Sequence, residues 1–317
     1  MRFAVCLLAA ALAATPALAQ TPQAQPAPAH RPQPPYAAPA APSAVPAPPP
    51  AGRAWTRYTR ATEVVVRDLA GFVRVTPENR SDVLVAINNP GPLQQPELRV
   101  SGNRLIIDGK LRRQIRGCRV REQGGLDVTT ERLGRLQTPE LTVVDVRVPQ
   151  NAVVAVGGAV RLSMAEAESV RVRIDGCGDA DIVGARGEAD VALAGAPNLR
   201  LYEAGALRIA IAGAGDAIVG VVRDGLTASI AGAGDLTVSR ADGPTSIAVQ
   251  GAGDVLIRDG RAGVLAVAIA GAGDVTHNGV ADRLNATVVG SGDVRVRRVE
   301  GEVSRRVLGM GEVVVGR

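Results

Sequence analysis

One four-residue phrase recurs along this chain at a nearly constant interval, and that interval limits what the chain can fold into. The phrase is Gly-x-Gly-Asp. It appears as Gly176-Cys177-Gly178-Asp179, Gly213-Ala214-Gly215-Asp216, Gly232-Ala233-Gly234-Asp235, Gly251-Ala252-Gly253-Asp254, Gly271-Ala272-Gly273-Asp274 and Gly290-Ser291-Gly292-Asp293. A worn copy follows at Gly309-Met310-Gly311-Glu312, and Gly195-Ala196-Pro197-Asn198 fills the one remaining slot. The last positions (179, 198, 216, 235, 254, 274, 293, 312) are separated by 19, 18, 19, 19, 20, 19 and 19 residues. A fixed period of this size marks a stacked solenoid, in which each repeat is one coil.

The hydrophobic pattern says what the coils are made of. Leu226, Ala228, Ile230, Gly232, Gly234, Leu236 and Val238 fall on one parity, and Thr227, Ser229, Ala231, Ala233, Asp235 and Thr237 on the other. That period-2 alternation is the signature of a half-buried strand. The next units keep the phase, with Ile247, Val249, Val255 and Ile257, then Leu265, Val267, Ile269 and Val275, pointing inward. A coil of this length holds two or three short strands joined by turns such as Arg223-Asp224-Gly225 and Ala241-Asp242-Gly243. The expected fold is all-β. It is a single-chain parallel β-helix, or β-solenoid, of roughly 19-residue coils, right-handed, and preceded by an irregular β cap. The paired inward glycines call for a thin core or a sharp bend at each turn.

Four segments follow from composition. Residues 1–19 read as a secretory signal peptide, with Arg2, an apolar run from Val5 to Ala14, and Ala17-Leu18-Ala19 before the cleavage point. That run is too short to span a bilayer, and no later stretch reads as a transmembrane helix. Residues 20–52 hold 12 prolines in 33 residues and read as an extended linker. Residues 53–149 read as the β-rich cap and first irregular coils, and 150–317 as the regular β-helix. The protein is thus expected in the periplasm or at the cell surface, and nucleic acid is not an expected partner.

Several candidate sites emerge. Asp179, Asp216, Asp235, Asp254, Asp274, Asp293 and Glu312 should form an external column. They either cap turn N–H groups or, less directly, hold cations such as calcium between coils; a catalytic or glycan-recognising role stays open. Cys118 and Cys177 are the cysteines outside the signal segment, and in an oxidising compartment they are candidates for a disulfide. Arg112, Arg113, Arg116, Arg119 and Arg121 crowd one stretch, read either as a solvated charged loop or as an anion patch for lipopolysaccharide or acidic glycan. The outward residues before each turn are small and uncharged, among them Ala210, Ser229, Ala231, Ala248, Ala268 and Ala270. Such a flat strip suits self-association or adhesion.

Catalytic chemistry finds little support. The chain has a single lysine, Lys110, and two histidines, His30 in the linker and His277. His277 reads as a satisfied strand-end residue in a file of valines and isoleucines. Aromatic residues are only 2% of the chain, which argues against a sugar-stacking cleft. No metal site or cofactor is expected beyond the calcium alternative. A polysaccharide lyase or hydrolase on the same fold is the rival reading.

The strand Val144–Val148, then Pro149, then Val153-Val154-Ala155-Val156-Gly157-Gly158-Ala159-Val160, followed by repeated Gly-x-Gly-Asp turns, resembles the head GIN domain family. The resemblance covers Glu63 to Arg317. It implies an exported bacterial protein with a right-handed β-helical fold, no established activity and, by the family's name, adhesion; the leading reading of the chain is a non-enzymatic adhesin or scaffold acting by surface contact. The resemblance supplies no catalytic residues.

Overall fold

The computed structural model describes residues 54–121 and 124–316. The signal-peptide and linker readings, with Cys6 and His30, lie outside them.

The early strands are β1 (Thr56–Tyr58), β2 (Glu63–Glu78), β3 (Val83–Asn88), β4 (Glu97–Ser101), β5 (Arg104–Asp108), β6 (Ile115–Val120), β7 (Leu126–Thr130), β8 (Gly134–Leu136), β9 (Thr142–Pro149) and β10 (Asn151–Met164). A single 3-10 turn, Thr138–Glu140, precedes β9. Next come β11 (Ser169–Gly213) and β12 (Ala217–Gly232), which run through several bends, then the short strands β13 (Leu236–Ala241), β14 (Thr245–Gly251), β15 (Val255–Ile257) and β16 (Arg261–Ala262). The last are β17 (Leu265–Gly271), β18 (Val275–Ala281), β19 (Leu284–Gly290), β20 (Val294–Val299), β21 (Val303–Gly309) and β22 (Val313–Val315). Nineteen strands belong to one wound sheet, and β6, β7 and β8 form a separate antiparallel sheet.

The winding is parallel and in register. Strand β12 pairs with β14, β14 with β17, β17 with β19, and β19 with β21. Consequently Ile230, Val249, Ile269, Val288 and Val307 form one file, and Gly232, Gly251, Gly271, Gly290 and Gly309 another. A second set, β12 to β13 to β15 to β18 to β20 to β22, stacks Val219, Val238, Ile257, His277, Val296 and Val315. Apolar files of this kind build one continuous core from Ala61 to Val313. Each fully buried Val, Leu or Ile in it contributes about 1.5–3 kcal/mol through removal from water. Arg305 keeps register with the inward Ala286, so alternation alone would turn it into the core, but it is exposed and donates to the Val313 carbonyl at 3.4 Å.

The glycines owe their place to the stacking direction rather than to a thin core. Gly251 adopts φ +135°, and a Cβ there would run into the carbonyl oxygen of Gly232 in the coil before it. Gly253 would strike the carbonyl of Gly234 and press on the Ile230 side chain. At these corners the Cα–H points along the solenoid axis, so any side chain would collide with the neighbouring coil.

The arginine-rich stretch is not a solvated loop along its whole length. Its second half is β6, paired antiparallel with β7. Cysteine and apolar residues alternate with arginines there, so one face of the hairpin can be buried. Ile115, Cys118 and Val120 pack with Leu126, Val128, Leu136, Phe72 and Ala159 in a small second core. The three strands thus lie as a flap over the early coils.

Candidate functional site

At each turn the backbone accounts for the Asp column. The Asp254 N–H donates to the Asp235 side chain at 2.8 Å, Asp274 N–H to Asp254 at 2.7 Å, and Asp293 N–H to Asp274 at 2.8 Å. Asp235 N–H reaches Asp216 at 3.0 Å, and Glu312 N–H reaches Asp293 at 2.8 Å. Meanwhile the Ala252 N–H donates to the Gly232 carbonyl at 2.9 Å, and the Asp254 carbonyl accepts from Leu236 N–H at 2.9 Å. The corner leaves one N–H per coil facing a side chain rather than a carbonyl, and a short acceptor fits there. One oxygen of each carboxylate is therefore committed to the next coil. Arg295 lies against the outer oxygens of both Asp274 and Asp293. Among the described residues, no group of three or more His, Cys, Asp or Glu is arranged to hold a metal ion.

The face before the turns is flat. Arg208, Thr227, Ser246, Ala266, Asn285 and Ser304 form one file; Ala210, Ser229, Ala248, Ala268, Thr287 and Arg306 the next; Ala212, Ala231, Gln250, Ala270, Val289 and Leu308 the third. From Thr227 to Val289 these files carry no charged side chain. Ala231, Ala270 and Thr287 are exposed, and Val289 is 46% exposed. Charge gathers elsewhere. Arg240 pairs with Asp242 in its own coil and with Asp259 in the next, and Arg261 pairs with Asp282 and Glu300 across coil boundaries. Arg240 holds Asp242 below the usual carboxylate range in spite of its burial, with help from the Arg261 N–H.

The five arginines of the flap region do not meet at one point. Arg116 pairs with Glu131 at 2.8 Å. Arg121 grips Asp127 at 2.8 and 3.0 Å, and Arg135 holds the same carboxylate. Hydrogen bonds from Arg135 and then Arg121 keep Asp127 below the ordinary carboxylate range. Arg112 lies with Arg67, Asp68, Asp108 and Lys110 around a hollow of about 490 Å³. Cys118 and Cys177 form a disulfide with their Cα atoms 6.3 Å apart, fastening the flap to a Gly-x-Gly-Asp corner.

His277 differs from its reading as a satisfied residue. It is fully buried within β18, and neither ring nitrogen has a hydrogen-bond partner. Burial lowers its pKa. Gly279 leaves the room that the ring occupies, because a Cβ there would meet His277 Cε1 at 2.8 Å. The sequence contained that signal in a glycine two residues past the histidine.

With this geometry established, the chain can be compared with known proteins. The family model described as "Putative auto-transporter adhesin, head GIN domain" matches residues 74–242 and 202–298, together 225 of 317 residues (298 − 74 + 1). The chain belongs to this family. Among solved structures, a protein from Parabacteroides distasonis titled a putative adhesin is 17% identical, with a TM-score of 0.50 over 83% of this chain and 96% of its own. One from Parabacteroides merdae, also titled a putative adhesin, is 16% identical over 83% of this chain and 97% of its own, at TM-score 0.44. At these identities the likeness concerns fold alone, and only the first superposition is close enough to count. No curated protein matches the chain. No helix among the described residues is long and apolar enough to cross a membrane.

Proposed function

We propose that this head GIN domain protein is exported to the cell envelope and works there without catalysis, as an adhesin or scaffold acting by surface contact. The observation that carries the reading is the flat face. Successive coils present exposed Ala, Ser, Thr and Gln side chains in register, while the charged residues pair on other sides of the coil. Small side chains hold little conformational entropy and let a second flat surface approach closely. The partner is a second copy of the same face. The Cys118–Cys177 bridge supports an oxidising compartment outside the cytoplasm.

The test is Ala231→Arg and Ala270→Arg. Both side chains point outward, so the solenoid should keep its β circular dichroism while sedimentation shows loss of self-association. Association that persists in both variants removes this face from the reading.

A further inference from the structure

Where the flap ends against the solenoid there is a cleft of about 400 Å³. The flap contributes Cys118, Val120 and Arg121 to its wall, and the coils contribute Arg161, Asn198 and Arg200 along with Asp179. A smaller hollow of about 180 Å³ continues it and shares Asp179, Asn198 and Arg200. We propose that this cleft binds a sugar-sized ligand carrying an oxyanion, with its carboxylate held by Arg121, Arg161 and Arg200.

The charges support an anion. Asp127 is shared by Arg121 and Arg135. Asp181 is shared by Arg161 at 3.0 Å and Arg200 at 3.5 Å. With Asp179 of the wall included, four guanidiniums face three carboxylates, which leaves a net positive charge among the described residues around the cleft. The Arg200 side chain is 54% exposed and holds its partner at the longest of these distances, so its planar fork is open to a bidentate acceptor.

A second, independent feature points the same way. The column of corner carboxylates running from Asp179 to Glu312 has one neutral member, Asn198, and that member lines the cleft. Asn198 still does the structural work of the column. It donates to Asp179 Oδ1 at 3.2 Å and accepts from the Asp216 N–H at 3.4 Å. What it lacks is the negative charge, at the point where the column meets the arginines. An aspartate there would repel an incoming oxyanion at close range. The amide thus serves twice: its N–H reaches Asp179, which a carboxylate could not do, and its neutrality keeps a second corner carboxylate out of the cleft wall.

Size and lining narrow the ligand. The volume lies within the ordinary range for small-molecule pockets. Among the described residues the wall has no aromatic side chain, so a neutral sugar finds no stacking surface there. Asp179 and Asn198 offer acceptors and a donor to hydroxyl groups. The disulfide fixes the flap wall in place before a ligand arrives, which lowers the ordering cost of binding.

The experiment is calorimetric titration of the secreted chain, at low salt and at 0.5 M salt, with three probes: digalacturonate, inorganic phosphate and neutral galactobiose. Digalacturonate should bind, weaken with salt and outcompete phosphate, and galactobiose should give no heat. Arg200→Gln and Asn198→Asp should each weaken binding about tenfold or more; Arg200→Gln should leave melting unchanged, while Asn198→Asp lowers it slightly, because the amide donation to Asp179 is lost. Arg240→Gln, on another side of the coil, should bind as the parent does. Equal binding of galactobiose, binding indifferent to both cleft variants, or no binding of digalacturonate overturns the proposal. Phosphate bound as tightly as digalacturonate overturns its saccharide part. The cleft is separate from the flat face: Ala231→Arg should leave the titration unchanged, so either reading can fail without the other.

Discussion

The coils after Ala206 and those before it are built on the same corner yet have different surfaces. In the later coils the inward files are mostly aliphatic, the outer face is flat and uncharged from Thr227 to Val289, and the register slips once, between His277 and Val280. In the earlier coils the register shifts between Val156 and Gly158, a hairpin crosses the outside, and the hollows described above are lined by residues between Arg67 and Ile218. A regular solenoid stacks equivalent side chains and so makes flat walls. Concavity needs a break in the repeat, and here the breaks are the flap and the Asn198 corner. The smooth half suits contact with an extended surface, and the interrupted half suits a small ligand.

Breaking the regular half at its corner should have the largest effect. Gly253→Val places a side chain against the Gly234 carbonyl and Ile230, with no flexible neighbour to yield. The expected loss is on the order of 3–5 kcal/mol, read by denaturant unfolding. Stability equal to the parent would show that coils can slide apart at little cost.

Releasing the irregular half comes next. Cys118→Ala with Cys177→Ala opens a constraint of 59 residues of sequence separation and should cost about 2–4 kcal/mol. Protease should cut between Leu111 and Leu136 first, while the β signal of the later coils persists. Simultaneous loss of both halves would mean that the flap is integral to the stack.

His277 gives a smaller, pH-dependent effect within the later coils. Its folded pKa lies below the ordinary imidazole value, so the unfolded chain takes up the proton first. Stability is therefore fully present above about pH 6.5 and falls as pH drops through that value toward the lower folded one. Ile257 and Val296 flank His277 in the stack, and Asp259 and Arg297 are the charged groups that act on it. His277→Val restores the valine file and should flatten thermal stability between pH 7.5 and 5.5. An unchanged pH slope in that variant would place the titration elsewhere.

The smallest effect concerns the column. Asp235→Ala removes the acceptor for Asp254 N–H and should cost about 1 kcal/mol, whereas Asp235→Asn keeps an acceptor and should stay within about 0.5 kcal/mol of the parent. A large loss with Asn would show that the negative charge itself is required.

Much of this was legible because repetition amplifies weak signals. One Gly-x-Gly-Asp is merely a turn, but eight slots at nearly one spacing require a stack, and period-2 alternation then assigns the inside. The outward position of the corner aspartates follows from parity alone. The partner of each was not legible, because the N–H that Asp235 accepts belongs to another coil. Ile115, Cys118 and Val120 were hidden among arginines, since a hairpin with one buried face looks like a charged loop until the surface beneath it is known.

From its residues alone, this chain specified a parallel β-solenoid, the coil length and the face each side chain takes, because those depend on local alternation and a fixed repeat. Only the tertiary structure brought Arg121 beside Arg161 and Arg200 and buried His277 without a partner, whereas the Cys118–Cys177 pair was already the candidate. Those arrangements depend on which coil lies against which, and on where a crossing hairpin comes to rest, and neither is encoded at short range.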